Sequence, residues 1–167
     1  MIVFEEKLGR ILDLLPLSKS ADDTEFKVWY NWGTQDVLNK YLVTESALTR
    51  YPLIWLTNGE DSTNVMSKYV TRNARLVIAM HSDKQDNFNP DIYATDYDLV
   101  LNPLLQNVII ALQSSGASWI GEDYTVQRLP NYSVVQNQNN TVDVWNAIVL
   151  DIEITIDNNC LVSNIKF

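Results

Sequence analysis

Residues 99–121 read "LVLNPLLQNVIIALQSSGASWIG", twenty-three positions without a charged side chain in a protein of net charge -9. A membrane span requires about 20 predominantly apolar residues. Here Asn102, Pro103, Gln106 and Asn107 interrupt the run, and Gln113 to Gly116 end it. The segment therefore reads as a helix. Asn102 suits the N-cap, Pro103 the first helical position and Gly116 the C-terminal end. Leu105, Val108, Ile109 and Leu112 share one face, and Ile110 lies between Gln106 and Gln113 on the other. That apolar arc is wider than a surface helix needs. It leaves a second dry face to be covered, either by another element of the same chain or by a neighbouring subunit.

Working outward, Phe4, Leu8, Ile11, Leu12 and Leu15 fall at helical spacing and predict an amphipathic first helix, with Glu5 and Glu6 at its positive end and Pro16 closing it. "LSKSADDTE" reads as a polar loop. "FKVWYNW" alternates and predicts a strand ending at Gly33, after which Thr34 caps a short helix, "QDVLNKYLV", with Val37, Leu38, Tyr41 and Leu42 on one face. "YPLIWLTNGED" predicts a strand entered at Pro52 and left through an Asn58-Gly59 turn. "ARLVIAMHS" is apolar on both faces, which places it centrally in a sheet. About 82–98 is a long acidic connection, a length that implies binding or an arm in a compact domain.

Beyond the central helix the chain reads as β. "YTVQRL" predicts a short strand. In "VDVWNAIVLDIEITID", Ile152, Ile154 and Ile156 alternate with Asp151, Glu153, Thr155 and Asp157, the pattern of an antiparallel strand with one wet face. Residues of about 130–142 form a polar loop or arm. The whole of 1–167 is expected to form one α+β domain, an antiparallel or mixed sheet packed on one side against the N-terminal and central helices.

Composition narrows function. A hydrophobic fraction of 46% and five tryptophans predict a packed core. The acidic balance argues against a surface that grips nucleic-acid phosphates, which takes clustered Lys and Arg. The opening "MIVFEEKLGRILDLLP" lacks the layout of a secretory signal, so the cytoplasm is the expected place of synthesis. One cysteine, Cys160, excludes an internal disulfide and reads as a small buried hydrophobe. The sole histidine, His81, stands at a strand end with no serine elbow, phosphate-cradling glycine loop or histidine pair near it. Asp83, Asp86, Asp91, Asp96 and Asp98 do not match a calcium loop and read as a solvated acidic loop. No catalytic group, cofactor or metal site is expected. Trp29, Trp32, Trp55 and Trp145 lie in or beside strands and are expected to pack the core. Trp119, in the short loop "GASWIG", reads equally as core or as an interface anchor.

This order of elements resembles the tail-terminator, tail-completion and neck-ring proteins of tailed bacteriophages. "VFEEKLGRILDLLP", "YPLIWLTNGED", "RLVIAMHSD", "VLNPLLQNVIIAL" and "WNAIVLDIEITI" carry the resemblance over most of the chain. The asparagine- and isoleucine-rich composition would suit a phage with an AT-rich genome, such as the crAss-like phages. The resemblance implies a tail-terminator-like fold and a structural role in the neck or tail of the virion. It implies a sixfold or twelvefold ring of copies that joins portal or adaptor to tail proteins and lets phage DNA pass without sequence-specific binding. Contacts between copies are then expected at Leu104, Ile110, Trp119, Val134 and Val135, and Asp83, Asp86 and Asp91 are expected to face the lumen or a neighbour. A different class of reading is a monomeric acidic module, a nucleic-acid mimic directed at a host protein. It expects acidic residues gathered on one surface.

Overall fold

A computed structural model describes residues 4–20, 22–57, 59, 61–63, 68–82, 93–130, 132 and 144–157. The elements in chain order are α1 (Phe4–Leu12), β1 (Ser18–Lys19), β2 (Glu25–Phe26), β3 (Trp29–Gly33), α2 (Gln35–Leu42), a 3-10 turn (Ala47–Thr49), β4 (Leu53–Thr57), β5 (Asp61–Thr63), β6 (Tyr69–Ser82), a π-helical segment (Tyr93–Leu101), α3 (Asn102–Ser114), β7 (Ser118–Leu129) and β8 (Val144–Asp157). The fold class is α+β. The main sheet runs β3-β4-β6-β8-β7, and β5 pairs with the outer end of β6. β3 and β4 are parallel and every other pairing is antiparallel, so the sheet is mixed. The polar loop read after α1 contains a separate small hairpin, β1 with β2.

The register lines residues up in rows across the sheet. One row is Tyr30, Ile54, Ile78, Ile148 and Arg128; the next is Trp32, Leu56, Leu76, Leu150 and Val126. Alternate residues point to opposite faces, so these rows share the first face. α1 covers it with Phe4, Leu8, Ile11 and Leu12, and α3 covers it with Leu104, Leu105, Val108 and Leu112, all in one continuous cluster. Burying each such side chain stabilises the fold by roughly 1.5–3 kcal/mol.

The second face departs from the expectation that the helices share one side. Leu53, Trp55, Val77, Ala79, Trp145, Ala147 and Val149 pack there under Leu38 and Leu42 of α2, with Ala47 and Tyr132. α2 forms where read: Thr34 Oγ1 accepts from Val37 N–H at 3.3 Å. Val37 itself is exposed, not packed. Gly33, at φ 152°, turns the chain from β3 into α2, and a Cβ there would meet the Trp55 ring at 3.1 Å. With only eight residues α2 shields one end of this face. Among the described residues no element covers the other end.

Two boundaries differ from the sequence reading. The π-helical segment occupies part of the expected acidic loop and leads directly into α3, so the N-cap is Leu101, not Asn102, and carries no side-chain cap. β7 begins at Ser118, which places Trp119 on a strand and not in a loop. Its register shifts between Ile120 and Tyr124, where Gly121, Glu122 and Asp123 face the single residue Glu153, and this bulge hides the alternation in sequence. No helix among the described residues is long and apolar enough to cross a membrane.

Candidate functional site

The bare half of the second face is built by β6, β8 and the start of β7. Arg75 pairs with Asp151 through two hydrogen bonds, Nε to Oδ1 at 2.7 Å and an Nη to Oδ2 at 2.9 Å. The Asp151 carboxylate raises the Arg75 pKa further above its ordinary value. Farther out, Thr71 and Thr155 share a hydroxyl hydrogen bond of 2.8 Å. At the rim the rings of Tyr69 and Trp119 meet edge to face at 5.4 Å. Trp119 is 49% exposed and Tyr69 38%, so together they present an apolar spot beside polar strands. Lys68 lies over the Tyr69 ring at 5.0 Å and reaches Asp157 at 3.3 Å. The Tyr69 hydroxyl and the Asp157 carboxylate both raise its pKa.

Next to this strip the β7 bulge borders an open depression of about 590 Å³. Glu122, Asp123, Asp151 and Glu153 line it, and no basic side chain is among the described residues that do. Such a surface disfavours phosphates.

His81 packs against the tilted ring of Tyr51 and edge-on to Trp145, with ring centroids 5.6 and 5.4 Å away. That is an aromatic packing site at the end of the sheet. No group of three or more His, Cys, Asp or Glu side chains placed to hold a metal ion occurs among the described residues.

The expected contact residues separate. Trp119 is exposed as an anchor would be. Leu104 is 2% exposed and packs in the first core, which corrects its assignment to a subunit contact: α3 lies down on the sheet through that side. The outward side of α3 is Pro103, Gln106, Gln113 and Ser114, with Asn107 and Ile110 half-buried. The outward side is mainly polar, with Pro103 at its start and Ile110 within it, and so forms no continuous second dry face. Val134, Val135, Asp83, Asp86, Asp91 and Cys160 lie outside the described residues. Trp55 and Trp145 pack the core as read, and their indole N–H groups donate to Gly33 O and Leu42 O. Trp32, by contrast, is 44% exposed at the edge of the sheet.

Tyr69, Thr71 and Arg75 are site residues that the sequence reading missed. Their signal is present in "YVTRNAR", whose alternating polar positions extend the "ARLVIAMHS" strand toward its start. Comparison with protein-family models finds no match for this chain, and comparison with curated proteins finds none.

Proposed function

We propose that the chain is a structural component of a tailed-phage particle, a subunit of a ring at the head–tail junction or at the end of the tail tube. The observation that carries this reading is the half of the second sheet face that no described element covers, rimmed by the exposed Tyr69–Trp119 pair. An exposed tryptophan beside satisfied polar strands suits a surface completed by another protein. The α+β layout agrees with the resemblance, and a charge of -9 repeated around a ring repels DNA phosphates, favouring passage over capture. Neighbours above and below would be portal or adaptor and tail proteins.

The nucleic-acid mimic is less well supported. Among the described residues, exposed acidic side chains occur on α1 and just after it (Glu6, Asp13), in the small hairpin (Asp22, Asp23) and at the β7 bulge (Glu122, Asp123), which are separate elements. The deciding experiment is mass spectrometry of purified tailed particles from cells carrying the gene. Peptides of this chain in the particle, at a copy number that is a multiple of six, are the expected result. Intact particles lacking the chain would remove the reading.

A further inference from the structure

We propose that copies of the chain join head to tail by strand addition: the outer edge of β7 in one copy pairs antiparallel with the outer edge of β3 in the next, and Arg128 enters an acidic groove beside α1. The inference rests on the ring reading and deepens it by naming the contact.

Strand direction is the first support. β3 runs with β4, β4 opposes β6, β6 opposes β8 and β8 opposes β7. The two ends of the sheet therefore run in opposite directions. Copies set side by side in the same orientation bring β7 against β3 antiparallel, with no inversion of the neighbour. Among the described residues no strand pairs with either outer edge. The Trp32 N–H shows the consequence: it donates to the Asn31 Oδ1 at 2.8 Å, a side-chain substitute for a neighbouring strand.

Length and pleat agree. β3 has five residues, and the regular part of β7 runs from Tyr124 to Leu129, beyond the bulge. The bulge and its acids Glu122 and Asp123 stop edge pairing from extending farther. Continuing the rows of the sheet into the next copy sets Arg128 beside Tyr30 and Val126 beside Trp32 on the first face, and Gln127 beside Asn31 on the second. The exposed Trp32 ring gains an aliphatic neighbour, and two exposed amides face each other.

Charge supplies the selection. Beside β3 on the first face runs a groove of about 460 Å³ lined by Glu5, Glu6, Arg10, Asp13, Tyr30 and Trp32. Arg72 engages Glu5 from within the same subunit, while Glu6 and Asp13 are exposed. At the opposite end of the sheet, Asn102 Oδ1 accepts from Arg128 Nε at 3.1 Å and from a second guanidinium nitrogen at 2.9 Å. The guanidinium is thus held out on the first face with donors to spare. Inserted in the groove it meets carboxylates and the faces of two aromatic rings, both favourable for Arg. The two joined surfaces differ, so the contact is heterologous and repeats around an axis until it closes.

Cross-linking tests the contact. In a full chain carrying Cys160→Ser, Asn31→Cys and Gln127→Cys, the two new thiols sit on opposite sheet edges. They are roughly 19 Å apart at about 4.8 Å per strand, beyond the reach of a disulfide, which needs about 7 Å or less between Cα atoms. Any disulfide must join two copies. Mild oxidation at high concentration should give a ladder of two, three and more linked chains. Adding Arg128→Glu should cut its yield at least tenfold, and adding Glu6→Arg with Asp13→Arg should restore it. Dimers formed as efficiently by Gln127→Cys alone would indicate a twofold β7–β7 pairing and overturn the proposal. A chain that sediments as a larger assembly without giving the ladder would overturn this contact and leave the ring standing. A chain that neither associates nor cross-links overturns the contact, and the ring reading is then judged by particle composition.

Discussion

The guanidinium of Arg72 meets the carboxylate of Glu5 at 2.6 Å, tying the first helix to β6 across 67 positions of sequence. The Arg72 side chain is 6% exposed and its guanidinium lies 4.3 Å from the centroid of the Phe4 ring. A charge so enclosed depends on its partner, because loss of either group leaves the other poorly solvated. Arg72→Ala should lower stability by about 3 kcal/mol, read as a drop in the urea midpoint. Replacing both members by leucine should recover most of the loss. Equal destabilisation in the single and double variants would show that the aliphatic stem of Arg72, not the pair, carries the effect.

α3 supplies a sharper contrast within one helix. Leu104 is enclosed against the sheet, while Ile110 is half-buried on the outer side. Leu104→Ala should cost about 2–5 kcal/mol through lost burial and the cavity left behind. Ile110→Gln should change stability by less than about 1 kcal/mol, near the range of surface substitutions. Urea unfolding of the two variants measures both, and a reversed order would mean that the helix sits rotated on the sheet.

These residues also show how far periodicity reaches. The stripe Phe4, Leu8, Ile11 and Leu12, the Thr34 cap and the Ile152, Ile154 and Ile156 alternation each specify a local shape, and each forms. The helix nevertheless ends at Leu12 and leaves Leu15 beyond it, and Asp157 on the polar side of β8 is buried. Periodicity names the residues that share a face without naming what covers it. Hence the pattern does not tell that Leu104 is hidden by the sheet or that Trp32 stands at its edge. Trp119 reads as a loop residue because the bulge after it breaks the two-residue repeat. The π-helical segment was hidden for a related reason. Tyr97, Val100 and Leu101 continue the buried side of α3, but Asp96 and Asp98 on either side of Tyr97 give the stretch the composition of a loop.

Tyr30 links stability to alkaline pH. Its hydroxyl donates to Glu5 O at 3.1 Å, and burial, followed by the charge of Glu5, pushes its pKa well above the ordinary tyrosine value. An acid whose folded pKa is raised contributes stability that is fully present below its unfolded pKa, here about 10, and is lost as pH rises toward the folded value. Unfolding free energy should therefore fall above about pH 10. Tyr30→Phe should cost about 1 kcal/mol at neutral pH through the lost hydrogen bond, and its alkaline decline should be shallower. Parallel declines in the two proteins would place the titrating group elsewhere.

Trp119 separates folding from assembly. About half of its surface is open to solvent, and its main aromatic contact within the subunit is the edge of Tyr69. An aromatic pair of this geometry adds about 0.5–1.5 kcal/mol beyond area burial. Trp119→Ala should accordingly lower the urea midpoint only modestly. Trp119 lies before the β7 bulge, outside the β7–β3 edge pairing, so its effect on assembly reports a separate contact on the second face. A half-exposed tryptophan at the centre of such a contact can carry 2 kcal/mol or more of association energy, about a thirtyfold weakening when removed. Sedimentation of the variant over a concentration series should shift its association to higher concentration by at least that factor, with far-UV circular dichroism unchanged. An assembly as tight as that of the parent chain would place Trp119 outside every contact between copies and leave the bare half of the sheet to a different protein.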